Sequence, residues 1–93
     1  MRFDAGTVTT TGQLENSTER VKVIEFHARS SNKESVVVGV SDVSANNGRE
    51  LTPGEAVSFN FGLEKKEGSV EVNLFYVHII GAGDKVDWTA IKE

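Results

Sequence analysis

Two short runs in which apolar and polar residues alternate strictly, joined by a turn that proline and glycine define, limit what this chain can fold into. Val36, Val38 and Val40 alternate with Val37, Gly39 and Ser41, and Val57, Phe59 and Phe61 alternate with Ser58 and Asn60. Side chains two residues apart share one face of an extended strand, so each run predicts a half-buried β-strand. Between them lie Asn47-Gly48, suited to positive backbone dihedrals at the tip of a loop, and Pro53-Gly54, suited to the two central positions of a type II turn. No eleven-residue window repeats its apolar residues at the helical period, which predicts little helix.

The same reading extends along the chain. Arg20–Arg29 predicts a strand whose apolar residues change phase, from Val21 and Val23 to Ile24, Phe26 and Ala28, and a bulge near Val23 and Ile24, or burial on both faces, reconciles the two. Ser30–Lys33 is a polar turn, Glu34–Asp42 the valine-rich strand, Ser44–Gly48 a loop and Glu64–Gly68 a charged hairpin loop. Val70–Ile80 is the longest predicted strand. Its Val70, Val72, Leu74 and Tyr76 face reads as the core side, which leaves Phe75, Val77 and Ile79 to cover a second apolar surface. Gly81–Asp84 turns the chain into a last strand, Lys85–Ile91, with Val86, Trp88 and Ala90 on one face. Six or seven short antiparallel strands with turns about every ten residues predict an all-β domain, a small β-sandwich or barrel-like fold of Ig-like or jelly-roll-like type.

With 93 residues the chain is one domain. We divide it into residues 1–19, an arm or edge strand, and 20–93, the sandwich. A chain this short buries roughly 60–65% of the surface its unfolded form exposes, which favours an oligomer or a docked module. Ten Lys and Arg against 14 Asp and Glu give a net charge of −4 with no clustered cations, which argues against nucleic acid as a partner. Cysteine is absent, so disulfides, thiolate metal sites and cysteine nucleophiles are excluded. The longest apolar run is far short of the ~20 residues that span a bilayer, and the N-terminus has no secretory pattern, so no membrane partner is expected.

The residues that could carry chemistry point away from an enzyme. His27 sits among Glu25 and Arg29 on what reads as a solvated face, and His78 falls with Leu74, Tyr76 and Ile80 in a core or interface. Asp42-Val-Ser44-Ala-Asn46 spaces oxygen-bearing side chains as a calcium loop would. Asn47 and Pro53, however, stand where an EF-hand loop needs glycine and glutamate. The glutamates are dispersed, and no glycine-rich phosphate loop opens a helix. No metal or cofactor is therefore expected. Phe3, Phe75 and Trp88 are not claimed by an inward-reading strand face, and they suit either a sugar platform or a protein contact.

The strand Val36-Val37-Val38-Gly39-Val40, Asp42-Val43-Ser44, a loop ending at Gly48, Leu51-Thr52-Pro53-Gly54-Glu55 and the strand Val57–Phe61 together resemble small structural proteins of tailed bacteriophages. Leu74-Phe75-Tyr76-Val77-His78 and the terminal Val86–Ile91 fit the same pattern, and the likeness covers about Arg20–Ile91. The type it most resembles is the capsid decoration, or cement, protein. That resemblance implies a protein made in the host cytoplasm and carried on the capsid exterior. There it would bind the major capsid protein as a symmetric homo-oligomer, trimer or dimer. The contact residues expected on this basis are Phe75, Val77 and Ile79 for an apolar oligomer face and Phe3, Val8 and Leu14 for the N-terminal segment. The alternative is a carbohydrate-binding or adhesin-type module of a phage fibre or cell-surface protein.

Overall fold

Strand β3, Arg20–Ala28, is the spine of the first sheet, and its phase change is resolved by a break in register. Val21 pairs with Lys92 and Val23 with Ile91, so one residue slips between them, and Val21 and Ile24 both turn inward as a result. The computed structural model describes residues 2–44, 46–61 and 70–92, with residue 2 described by its backbone. Within them lie β1 (Arg2–Val8), β2 (Gly12–Gln13), β3, β4 (Val36–Gly39) and β5 (Arg49–Leu51). They continue with β6 (Ala56–Asn60), β7 (Val70–Glu71), a 3-10 turn at Val72–Leu74, β8 (Tyr76–Ile79) and β9 (Val86–Lys92). The charged loop expected at Glu64–Gly68 lies outside the described residues.

Among the described residues the strand pairings are all antiparallel and make two sheets, β1-β9-β3-β6 with β7 added to β3, and β2-β8-β4-β5. Four stretches of chain each supply one strand to both sheets: β1 with β2, β9 with β8, β3 with β4, and β6 with β5. They lie side by side in the same order in each sheet, so four ribbons fold together across a set of corners. This is jelly-roll connectivity within an all-β sandwich. Residues 2–8 and 12–13 pair with β9 and β8 and form an edge of each sheet, so the N-terminal segment is part of the sandwich.

Side chains close the corners. Asp84, 3% exposed, accepts hydrogen bonds from the Lys33 and Glu34 amides, both at 2.9 Å. Asn32 donates to the Lys85 carbonyl at 2.8 Å and accepts from its amide at 2.9 Å. These bonds satisfy turn groups that burial would otherwise leave unpaired. Thr52-Pro53-Gly54-Glu55 closes as a β-turn, the Glu55 amide donating to the Thr52 carbonyl at 2.9 Å with Gly54 at φ 87°, where glycine carries no Cβ penalty.

The core lies between the sheets. Ile24, Phe26, Ala28, Val86, Trp88 and Ala90 come from the first sheet, and Val36, Val38, Leu51 and Val77 from the second. Val37 is also buried, but on the outer side of β4, beneath the returning loop. A Cβ on Gly48 would stand 2.7 Å from Val37 Cγ1 and 2.9 Å from Val43 Cγ2, so only glycine lets this loop lie so close. The loop turns between Ser44 and Asn47, whose backbones exchange hydrogen bonds of 3.0 and 3.2 Å, one step before the expected Asn47-Gly48 tip. Val40, expected to share the buried face of Val36 and Val38, lies past the end of β4 and is 57% exposed.

The long strand expected over Val70–Ile80 is two strands with a turn between them. The Phe75 amide donates to the Val72 carbonyl at 3.2 Å, and this 3-10 turn shifts the strand phase by one residue. Val72 points into the core, then Leu74 points out and Phe75 and Val77 point in.

Lys92 continues the inward row of Val86, Trp88 and Ala90, and its side chain is 1% exposed. Its ammonium lies 2.7 Å from Asp4, 3.2 Å from Glu19 and 3.3 Å from Glu15, and 5.9 Å from the centroid of the Trp88 ring. A buried ammonium is tolerated only when paired, and here three carboxylates and an aromatic face supply the partners.

Candidate docking face

The outer face of the first sheet is assembled by register. In one row Phe3 of β1 stands beside Ile91 of β9, which stands beside Val23 of β3 and then Asn60 of β6. The next outward row is Ala5, Thr89, Glu25 and Ser58, and the third is Thr7, Asp87, His27 and Ala56. The first row is apolar up to its last member, Asn60. Phe3 is 74% exposed, and Ile91 and Val23 are half-buried beside it. The two rows beyond it are polar and mostly exposed, so the face has an apolar end and an ionic end.

The ionic end is ordered. Arg29 donates to both oxygens of Asp87, Nε at 2.8 Å and Nη2 at 3.0 Å, and the Thr7 hydroxyl donates to the same carboxylate at 2.7 Å. The Arg29 hydrogen bond holds the Asp87 carboxyl below its ordinary value, partial burial opposes it, and the Thr7 bond assists. Reciprocally, that bond raises the Arg29 guanidinium. A fork-to-carboxylate pair fixes geometry as well as charge, so Arg29, Asp87 and Thr7 hold a defined arrangement at this end. His27 stands exposed beside Asp87 in the same row.

The expected contact residues are distributed differently from the sequence reading. Phe75 and Val77 are buried in the core at 8% and 0% exposure, and Ile79 packs against it from a half-buried position. The supposed oligomer face is therefore the inner face of β8, because the 3-10 turn exchanged the two sides of the strand. Val8 and Leu14 are also half-buried against the core, and among the six expected contact residues Phe3 alone is an exposed side chain. Of the aromatics left open for a sugar platform, Trp88 is 5% exposed and faces inward, Phe75 is internal, and Phe3 remains. His78 lies half-buried on the outer side of β8, paired in register with Val37.

Nothing local in the sequence marks Ile91 and Val23 as neighbours of Phe3. Each sits at an odd phase within its own strand, and only the pairing of β1, β9 and β3 aligns them with Phe3. Arg29 and Asp87 are 58 residues apart and meet through the same pairing.

Among the described residues no cluster of three His, Asp or Glu is arranged to hold a metal ion, and no helix is long and apolar enough to cross a membrane. No protein-family model matches the chain, and no curated protein matches it. Among solved structures, an NMR structure of a de novo designed double-stranded β-helix is similar, at 14% identity over 100% of both chains with a TM-score of 0.48.

Proposed function

We propose that the chain is a non-catalytic structural module that docks on a larger protein assembly through the outer face of its first sheet. The assembly is the capsid of a tailed bacteriophage, which the chain binds from outside as a decoration protein. One observation carries the docking reading: Phe3, 74% exposed, forms a continuous apolar row with Ile91 and Val23 beside two polar rows. Aromatic anchors bordered by polar groups are the usual composition of protein contacts. The choice of a capsid rests on the resemblance of the Val36–Phe61 pattern to virion proteins.

The size of the face is consistent with that choice. Four strands ~4.8 Å apart, read over about six residues at ~3.3 Å each, make a face of roughly 400 Å². A stable pairwise complex buries about 800 Å² on each partner. One such face binds weakly alone, and a particle that offers many equivalent sites side by side suits it, because linked contacts gain strength through effective concentration.

The test mixes the purified protein with capsids that lack it and follows co-sedimentation and capsid melting. Binding with a raised capsid melting temperature is expected; neither binding nor stabilisation would sink the proposal. A flat titration against a broad panel of glycans is expected as well, since Phe3 is the single exposed aromatic left for a sugar platform among the three considered.

A further inference from the structure

At the end of the sandwich away from the stitched corners, the two sheets leave a cavity of about 220 Å³ lined by Gly39, Val40, Phe59, Phe61 and Phe75. We infer that this cavity is a binding site for a small uncharged molecule carrying one aromatic ring. The inference is independent of the docking reading, because the cavity lies between the sheets and shares no residue with the Phe3 row.

Among the described residues every side chain in the lining is a hydrocarbon. Phe59 and Phe61 stack nearly parallel, 12° apart with centroids separated by 6.4 Å. Phe75 is tilted by 50° to Phe61 at 5.8 Å and by 38° to Phe59 at 6.4 Å. The rings therefore offer both faces and edges, the two surfaces that an aromatic guest pairs with at centroid distances of about 4.5–7 Å. Because the cavity opens to solvent on one side, a guest that fills it takes phenyl surface out of water, which is favourable in proportion to the apolar area covered. Water has no hydrogen-bond partner among these side chains, whereas an apolar cavity of about 150 Å³ is large enough to bind benzene. Val40, at the rim and 57% exposed, marks where the cavity opens to solvent.

Charge selects the ligand class. A carboxylate or ammonium drawn in against the three phenyl rings would lose hydration that none of these side chains replaces, so charged analogues of the same size bind more weakly. The recognised chemistry is one ring with small alkyl substituents, held by shape and dispersion.

Toluene titrated into ¹⁵N-labelled protein tests this directly, with benzoate as the charged counterpart of the same ring. Saturable amide shifts centred on Gly39, Val40, Phe59, Phe61 and Phe75 are expected for toluene, with binding at least about tenfold weaker for benzoate. Val40→Trp, which places an indole across the rim, and Phe61→Ala, which removes one wall at a half-buried position, are each expected to weaken toluene binding about tenfold or more. Absence of saturable shifts up to the solubility of toluene would overturn the inference, as would equal binding of benzoate. Shifts at these residues that grow with protein concentration without ligand, and vanish in Phe3→Ser, would also overturn it. The cavity would then be seating an aromatic side chain of a second copy.

Discussion

Truncation of Phe75 and of Phe3 separates the inner face of this sandwich from its outer one. Phe75 is 8% exposed, and its ring lies 5.9 Å from Phe26, 6.4 Å from Phe59 and 5.8 Å from Phe61. Truncating a buried phenylalanine to alanine costs about 3–5 kcal/mol, the sum of lost transfer energy and the cavity left behind. Beside an existing opening the new void is partly reached by solvent, which places Phe75→Ala near the lower end, at about 3 kcal/mol. A 93-residue domain has about 5–14 kcal/mol in total. At about 4–8 °C per kcal/mol, Phe75→Ala should lower the melting temperature by about 12–24 °C. Phe3, 74% exposed, gives up little on truncation, and Phe3→Ala should stay within about 0.5 kcal/mol of the wild type. Urea unfolding followed by circular dichroism measures both. A Phe75→Ala loss below about 1 kcal/mol, or a larger loss for Phe3→Ala, would refute the assignment of Phe75 to the core.

Lys92→Met should destabilise by about 1–3 kcal/mol, less than the loss from orphaning a fully buried charge, because the carboxylates left behind are 31–42% exposed and can hydrate. Concentrated salt should recover part of that loss in equilibrium unfolding by screening the three acids from one another. Gly6→Ala places a methyl 2.8 Å from Trp88 Nε1 and 2.9 Å from Cε2, so the indole must move; about 1–3 kcal/mol of destabilisation is expected, with a red-shifted Trp88 emission. The Asp87 carboxyl titrates below its ordinary 3.8, so its contribution is complete above that pH and is lost as the pH falls through the lowered folded value. Wild type should therefore exceed Asp87→Asn in stability by up to about 1 kcal/mol at neutral pH, and the two should converge in acid denaturation.

Much of the scaffold is legible in the residues. The alternation of Val86, Trp88 and Ala90 places the three on one face of β9, though not which way that face turns, the phase change in Arg20–Ala28 is compatible with a bulge, and Pro53-Gly54 sits in a turn with Gly54 at φ 87°. What period-two reading loses is phase across a break. Asn73 and Leu74 carry no proline or glycine to signal the 3-10 turn, so the strand appears continuous, and every residue after it is assigned to the wrong side. Lys92 lies in the inward row by parity, but its charge argues for the surface until Asp4, Glu15 and Glu19 converge on it from distant parts of the chain. The Phe3, Ile91 and Val23 row depends on which strands are neighbours, and connectivity between non-consecutive strands is not written in any local window.

Docking through the outer face of the first sheet is tested most directly by binding of wild-type protein and a Phe3→Asp variant to capsids that lack it, measured by co-sedimentation at equal protein concentration. Phe3 is 74% exposed, so the variant should fold as the wild type does, which its unfolding curve checks. Wild-type protein is expected to saturate the particles and raise their melting temperature, and folded Phe3→Asp to lose at least about tenfold in affinity. Undiminished binding by folded Phe3→Asp would contradict docking through this face.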